Sequence, residues 1–161
     1  MRLRPITMED LGLYHGLLTD PEVMSELGGP LPEEGLEAKL RGIVAAVEED
    51  RLWFVVVEHG RRAAGWVCIW DHEGDDPVTE IGWMIAPAFQ GRGLASGAVR
   101  ELLDRARADG RWPAIHAYPA VTNAASNAIC RKVGFDLLAE GDFVYQGRAL
   151  RCNDWRIALA G

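Results

Sequence analysis

The chain has 161 residues, of which 48% are hydrophobic and 25% are charged. These proportions are typical of one globular domain with a hydrophobic core. The 17 basic and 24 acidic residues give a formal net charge of -7, which disfavours nucleic acid as a partner because nucleic-acid binding rewards basic surfaces.

The first third of the chain predicts one strand and three helices. Thr7 and Asp10 are spaced as a variant capping box, so a helix is expected to begin after Thr7. Asp20 before Pro21 has the pattern of a cap followed by a first helical residue, and it predicts a second, short helix. The expected elements are a strand over 2–7 and helices over 8–18, from 21 onward, and over 33–49.

The remainder of the chain predicts alternating strands and helices. Three strands form an antiparallel meander, followed by a helix, a strand, a helix closed by Gly134, and a hairpin turned near Gln146 and Gly147. This order predicts a single α/β domain over residues 1–161, with a mixed, mostly antiparallel sheet of about seven strands flanked by helices. The expected ranges are strands 51–59, 63–72 and 78–87, turns 60–62 and 73–77, helix 94–109, strand 112–119 and helix 123–133.

The cysteines and the N-terminal residues bear on the cellular compartment. Cys68, Cys130 and Cys152 are odd in number and widely separated, which predicts neither a zinc site nor a disulfide framework and suits a reducing cytoplasm. The first residues lack the apolar run of a signal peptide, and no run approaches the ~20 apolar residues that span a bilayer. We therefore expect a cytoplasmic protein without a metal and without a membrane partner.

A glycine-rich turn stands between an apolar strand and a helix. Gly91 and Gly93 flank Arg92 directly before the helix that begins at Leu94. The free N–H groups and the positive dipole end of a helix N-terminus favour phosphate, and glycine lets a ligand approach the backbone closely. The alternative is that these glycines serve only the turn.

Two well-known phosphate motifs do not fit this turn. The P-loop pattern with its Gly-Lys-Ser/Thr ending is absent. In the dinucleotide pattern the third glycine is replaced by Ser96, and no acidic residue follows at the end of the next strand, where a ribose would bind. A dinucleotide site is therefore not expected.

A third pattern fits better and carries a family resemblance. Residues 90–95 match [QR]-x-x-G-x-[GA] and resemble the acyl-CoA pyrophosphate loop of the GNAT superfamily of N-acetyltransferases. Residues 123–135 resemble that family's N-x-x-S and K-x-G-F segment, and Glu-Ile-Gly-Trp at 80–83 is similar to the branch of ribosomal-protein N-terminal (Rim-type) acetyltransferases. The resemblance covers nearly the whole chain.

The resemblance implies a fold whose central strands are splayed. It also implies a reaction, the transfer of an acetyl group from acetyl-CoA to the primary amine of a small molecule or of a protein N-terminus. It also implies that the Ile85 N–H is a candidate donor to the oxyanion. The implied cofactor-binding residues are Met84, Ile85, Ala86, Gln90, Gly91, Arg92, Gly93, Leu94, Ala95, Ser96 and Asn123.

Glu80 is the expected catalytic base, because relatives often carry a glutamate at that place in the fourth strand. Partial burial would raise its pKa and suit it to accept a proton. The alternative is a carboxylate at the rim that only binds a cationic substrate. His72 and His116 are further candidates.

Three side chains are candidates for donating a proton to the leaving thiol. Cys130 stands where many relatives carry tyrosine, and its thiol is either a proton donor or a small apolar filler. Ser126, one turn earlier, is a second candidate because relatives without the tyrosine suggest a hydrogen bond to the cofactor sulfur. Tyr118 is a third candidate, and direct departure of the thiolate would need none.

Aromatic residues on the strands are expected to line the acceptor pocket. The pocket candidates are Trp66, Trp70, Trp83 and Tyr145, with Tyr14, Met24 and Trp155 in addition.

Two rival functions stay open: a non-catalytic acyl-CoA-binding or regulatory module, and an α/β interaction domain. The final hairpin is compatible with a monomer or a homodimer.

Overall fold

One mixed sheet organises the chain in the computed structural model, which describes residues 1–72, 78–145 and 147–159. Four helices flank the sheet: α1 (Leu11–Thr19), α2 (Leu36–Glu48), α3 (Leu94–Asp109) and α4 (Ala124–Val133). The seven strands, in the spatial order β1-β2-β3-β4-β5-β7-β6, are β1 (Arg2–Pro5), β2 (Trp53–His59), β3 (Arg62–Asp71), β4 (Thr79–Ile85), β5 (Ala114–Ala117), β6 (Asp136–Tyr145) and β7 (Arg148–Ala158).

The pairing of β4 with β5 differs from every other pairing in the sheet. These two strands are parallel and share a single register pair, Glu80 with His116, whereas all the other neighbours are antiparallel. The two strands diverge beyond that pair, so residues 81–85 have no partner on β5. The predicted α/β class, the seven-stranded mixed sheet and the splayed central strands are therefore confirmed.

Two hydrophobic cores lie on opposite faces of the sheet. Strand alternation sends Ile81 and Ile85 into the core shared with α3 and α4, and Met84 into the core shared with α1 and α2. Both cores thus meet at β4. The end of β4 that has no partner on β5 is therefore anchored on both faces of the sheet.

The predicted helix from Pro21 is wrong. Asp20 does cap this stretch, since its Oδ1 accepts the N–H groups of Glu22 at 2.8 Å and Val23 at 3.1 Å. The chain then makes turns and one short 3₁₀ helix at Ser25–Leu27. It stops there because Gly28 has φ +84°, a left-handed conformation that ends a helix.

Two other helix starts differ from the predicted ones by about a turn. The first stretch begins as a 3₁₀ helix at Met8–Asp10, where Asp10 accepts the Thr7 N–H at 2.9 Å, and it continues as α1. The α2 helix starts at Leu36 rather than at residue 33, because Gly35 before it has φ +84°. The predicted turns at 73–77 and at Gln146 lie outside the described residues.

None of the helices in the described part of the chain combines the length and the apolar character needed to cross a bilayer.

A buried asparagine ties α4 to the sheet. Asn127 is 2% exposed. Its Nδ2 donates to the carbonyl oxygens of Ala120 at 2.9 Å and Asn123 at 2.8 Å. Its Oδ1 accepts from Asn153 Nδ2 at 2.7 Å and from Trp155 Nε1 at 2.8 Å. This side chain therefore fixes α4 against β7.

We expect Asn127→Ala to destabilise the fold by about 3 kcal/mol, because it leaves buried donors and acceptors unpaired. In a chain of this size that loss lowers Tm by roughly 6–12 °C. Thermal unfolding followed by circular dichroism measures the shift. The neighbouring Ser126→Ala serves as control, because it removes a half-buried hydroxyl without a partner among the described residues; an equal Tm loss in both variants contradicts this role.

Candidate active site

A cleft of about 1410 Å³ opens where β4 and β5 diverge. Its walls come from both faces of the sheet, so it runs from the α3 and α4 side through the gap to the α1 and α2 side. Divergence exposes backbone groups that would otherwise be paired in the sheet. The cleft is therefore the place where a long, partly extended ligand can reach the backbone of β4.

The glycine turn, Gly91–Ser96, forms one wall of this cleft with all of its residues except Arg92. Gly91 and Gly93 both have φ +72°, where any other residue is strained, and a Cβ on either would meet no atom within 4 Å. Glycine is thus required here by its backbone conformation and not by crowding, and the space in front of both glycines is open. The N–H groups at the start of α3 have no helical partner and can bind an anion.

Arg92 and Gln90 lie on either side of Gly91. The Nη2 of Arg92 donates to the Ala88 carbonyl at 3.3 Å, and the side chain is exposed. Gln90 donates from Nε2 to the Ile85 carbonyl oxygen at 2.9 Å. Gln90 therefore ties the turn to the end of β4, while Arg92 keeps its charge at the surface.

Strand alternation sets the direction of the Ile85 N–H. The Ala86 N–H donates to the carbonyl oxygen of Ala64 on β3, at 2.8 Å. The preceding N–H, that of Ile85, must therefore point to the other edge of β4, which is the gap facing β5. This N–H can donate to a group bound in the cleft.

The start of α4 forms the opposite wall. Asn123 caps this helix, with its Oδ1 accepting the Ser126 N–H at 3.0 Å. Ser126 also lines the cleft, and its hydroxyl has no partner among the described residues. Cys130 is 0% exposed in the core beside α3, and burial raises the pKa of its thiol to about 12. The structure thus brings Asn123 and Ser126 to the cleft and places Cys130 outside it.

Glu80 lies at the point where the strands part, with its carboxylate bonded to His72. The distance from His72 Nε2 to Glu80 Oε2 is 2.6 Å. Burial raises the pKa of Glu80, although the His72 ring counteracts part of that effect. The same hydrogen bond raises the pKa of His72. The glutamate side chain is 19% exposed and the histidine 48%, so a proton that leaves the cleft through this pair moves outward.

We expect the His72 ring to titrate above 6.5, its ordinary value, and to return toward that value in Glu80→Gln, because the hydrogen bond to a carboxylate is lost. Two-dimensional NMR of the histidine ring protons over pH 5 to 9 measures this. A ring that titrates at or below 6.5 and is indifferent to the substitution refutes the pairing.

His116 lies on β5 beside Glu80, and Tyr118 follows the end of β5. His116 Nδ1 bonds to Asp154 Oδ1 on β7 at 2.7 Å, so this histidine already has a carboxylate partner. The Tyr118 ring stacks on His116, with centroids 5.8 Å apart, and lines the cleft. Burial raises the pKa of Tyr118 to about 12, so the phenol stays protonated at neutral pH.

The aromatic residues expected in the acceptor pocket divide between the two faces of the sheet. Trp66, Trp70 and Tyr145 line the cleft on the Glu80 face. Trp83 also lines the cleft, but strand alternation puts it on the other face, against the α3 and α4 core. Of the additional candidates, Tyr14 lines the cleft on the Glu80 face, whereas Met24 and Trp155 are core residues and not wall residues.

Three residues around the site have partners that a local sequence pattern does not predict. Asp154, which bonds His116, follows it by 38 residues. Asn127 has two partners in the β5–α4 loop, but its other two lie on β7, 26 and 28 residues further along the chain. Phe143 on β6 contacts Tyr118, with ring centroids 4.5 Å apart. These distant contacts exist because β7 lies between β5 and β6.

No metal site is evident among residues 1–72, 78–145 and 147–159, where no three His, Cys, Asp or Glu side chains are grouped to hold an ion. The three cysteines are free and buried.

Known proteins resemble this chain in sequence and in fold. The sequence model of the acetyltransferase (GNAT) domain matches residues 1–136. A RimL ribosomal L7/L12 alpha-N-protein acetyltransferase in complex with CoA superposes with a TM-score of 0.80 at 18% identity, covering 97% of this chain and 92% of that one. A spermidine N-acetyltransferase from Vibrio cholerae, in complex with CoA and spermine, gives 0.81 at 20% identity over 98% and 95%.

A third solved structure is similar to the same extent. It is yncA from Salmonella typhimurium with its cofactor acetyl-CoA, which superposes with a TM-score of 0.77 at 21% identity over 100% of this chain and 95% of that one. These likenesses show a shared fold. With the family match over most of the chain, they show that this protein is a member of the GNAT family of acetyltransferases.

Proposed function

We propose that this protein transfers the acetyl group of acetyl-CoA directly to the nitrogen of a primary amine. The observation that carries the proposal is the cleft through the sheet, which has the glycine turn on one side and the Glu80–His72 pair on the other. A donor bound on the α3 side and an amine bound on the α1 side would meet in the gap between β4 and β5.

The residues on the α3 side fit the phosphates and the arm of a CoA ester. The space in front of Gly91 and Gly93, which a Cβ would fill, suits a pyrophosphate held by the N–H groups of Gly91–Ser96. Arg92, exposed beside the turn, adds positive charge near this space. The edge of β4 that has no partner on β5, where Met84 and Ile85 line the cleft, suits the amide groups of the pantetheine arm, and Asn123 lies across the cleft. The backbone groups of Ala86 are already bonded to Ala64 and Phe89, so Ala86 has no part in this proposal.

Acetyl-CoA supplies an activated acetyl thioester, and the chain supplies charge stabilisation and proton transfer. The Ile85 N–H, directed into the gap, donates to the acetyl oxygen as negative charge develops on it. Glu80 accepts a proton from the amine nitrogen, which must be neutral to attack. The raised pKa of Glu80 brings its basicity closer to that task.

Proton movement on either side of the reaction falls to two groups. His72, bonded to Glu80 and more exposed, passes the proton from the carboxylate to solvent. On the other side, the Ser126 hydroxyl lines the cleft in the first turn of α4 and would hydrogen-bond the leaving sulfur. The buried Cys130 has no part in this proposal.

The proposal is tested by release of free thiol from acetyl-CoA in the presence of a panel of primary amines, with mass spectrometry of the products. We expect amine-dependent thiol release and an N-acetylated product. Saturable acetyl-CoA binding without transfer to any amine of the panel would instead identify a non-catalytic acyl-CoA-binding module.

A further inference from the structure

The acceptor half of the cleft, on the Glu80 face of the sheet, has aromatic side chains that are neither core nor surface. Trp70, Tyr118, Phe143 and Tyr145 are each half-buried and line this half. Aromatic residues that fill a core are closed off from solvent, whereas these four leave part of their rings open to the cleft. They therefore have area to offer a ligand.

These rings surround Glu80. Trp70 is its register partner on β3, and Tyr118 lies two residues after His116, its register partner on β5. Burial raises the pKa of both phenols, followed by the Asp154 and Glu80 charges at Tyr118 and by Cys68 and the Glu80 charge at Tyr145. The Glu80 carboxylate thus lies beside the group of four rings, called the aromatic enclosure below, an arrangement that attracts an organic ammonium group through charge and through cation–π contacts.

Gly82, which has no side chain, leaves room for the Trp70 ring beside Glu80. The six-membered ring of Trp70 lies over Gly82 of β4, where a Cβ would be 3.2 Å from two ring atoms. Glycine at that position lets the indole lie down against the strand beside Glu80. The flat face of Trp70 is thereby available to a flat partner.

The described charges on this half suit one ammonium group rather than several. Glu26 is bonded to Thr122 at 2.6 Å, and Glu22 lies exposed at the rim. Lys39 lines the same half, and burial lowers the pKa of its ammonium group. Because Glu22 is solvated and Glu26 already has a partner, Glu80 is the described carboxylate beside the aromatic rings, and the exposed Lys39 adds a positive charge that disfavours a second ammonium in this half.

Contacts that hold the segment between α1 and α2 also bear on the size of the acceptor. The hydrogen bond between Glu26 and Thr122 joins the segment between α1 and α2 to the loop after β5. Arg148 of β7 donates to the carbonyl oxygens of Gly29 and, at 3.1 Å, Pro30 in the same segment. The segment is held from two sides, which favours a small molecule over an extended peptide.

We propose that the acceptor is a small primary monoamine with an aromatic or flat apolar body, its nitrogen at Glu80 and its body between the four rings. This assignment rests on the proposed function. The ammonium loses one proton to Glu80 and, through His72, to solvent. Its nitrogen then forms the C–N bond as the C–S bond breaks, and its second proton ends on the thiol.

The test compares kcat/KM for 2-phenylethylamine, n-propylamine, spermidine and a peptide with a free α-amine, each with acetyl-CoA. We expect kcat/KM for 2-phenylethylamine to exceed that for n-propylamine by at least about tenfold, because burying part of a phenyl ring contributes that much binding free energy. The value for 2-phenylethylamine should also exceed the values for spermidine and the peptide. A preference for spermidine or for the peptide overturns the assignment while leaving the proposed function intact. No acetylation of any amine overturns both.

Variants of the cleft residues test whether the four rings cause the preference for 2-phenylethylamine over n-propylamine. We expect Trp70→Ala and Phe143→Ala to reduce the ratio between 2-phenylethylamine and n-propylamine toward one. Trp53→Ala is the matched control, because Trp53 is a half-buried strand tryptophan that packs on Trp112 outside this cleft. A ratio unchanged in both cleft variants, each still stabilised by acetyl-CoA in a thermal melt, places the body elsewhere and overturns the assignment.

Discussion

Gly93→Asp is expected to weaken acetyl-CoA binding by at least about a hundredfold while the protein stays folded. The new carboxylate would stand in open space in front of the turn, where the proposal places a pyrophosphate. Repulsion between charges about 4 Å apart near a protein surface amounts to several kcal/mol. Isothermal titration with acetyl-CoA measures the loss, and circular dichroism checks the fold.

Two controls separate charge from backbone strain. Gly93→Asn has nearly the same shape without the charge, so it should bind acetyl-CoA more tightly than the aspartate variant does. Gly110→Asp puts the same side chain at the other end of α3, at a glycine with φ +79° and equally open space. We expect this variant to keep the affinity for acetyl-CoA. Equal losses of affinity in Gly93→Asp and Gly110→Asp would refute pyrophosphate binding at the glycine turn.

Glu80→Gln is expected to lower kcat by about 10²–10⁴, the usual contribution of a general base, with acetyl-CoA affinity changed by no more than a few-fold. Because burial raises the pKa of Glu80, the rate in the unmodified protein should climb with pH above the ordinary range of a glutamate, as the carboxylate loses its proton. The glutamine variant should lack that limb. Steady-state kinetics over pH 5 to 9 test both expectations.

Glu58→Gln is the matched control for this substitution. Glu58 is also a strand glutamate, its side chain is 20% exposed against 19% for Glu80, and it is bonded to Arg4 at 2.8 Å outside the cleft. We expect its pH–rate profile to match that of the unmodified protein. A profile unchanged in Glu80→Gln would leave Glu80 as a charge that only attracts the amine.

The sequence was sufficient for the strands and for the glycine turn, because both depend on local chemistry. The alternation of Ile81 and Met84 between the two cores follows from the two-residue period of a strand. The positive φ values of Gly91 and Gly93 follow from the need to start α3 directly after the turn. These features are encoded within a few residues of where they act.

The acceptor half could not be predicted in the same way. Trp83 was expected there beside Trp70, yet β4 carries it to the opposite face from Glu80. The contact of Phe143 with Tyr118 depends on the β6–β7 hairpin and on β7 lying next to β5. Cys130 matched the place of a tyrosine in relatives, but its packing among apolar side chains removes it from the cleft. Tertiary contacts decide the places of Phe143 and Cys130, whereas the place of Trp83 follows from strand alternation and its expected role in the pocket overlooked that alternation.

A thermal-melt titration of the unmodified protein with acetyl-CoA, with ADP as the control nucleotide, shows whether the cleft binds a CoA ester. A ligand at 100 times its Kd stabilises the folded state by about 2.7 kcal/mol, which is a Tm increase of roughly 5–11 °C for a chain of this size. We expect a saturable shift with acetyl-CoA that far exceeds the shift with ADP, because the pantetheine arm adds its bonds along β4. No shift with acetyl-CoA at millimolar concentration would refute the proposed cofactor site and leave the glycines as a turn alone.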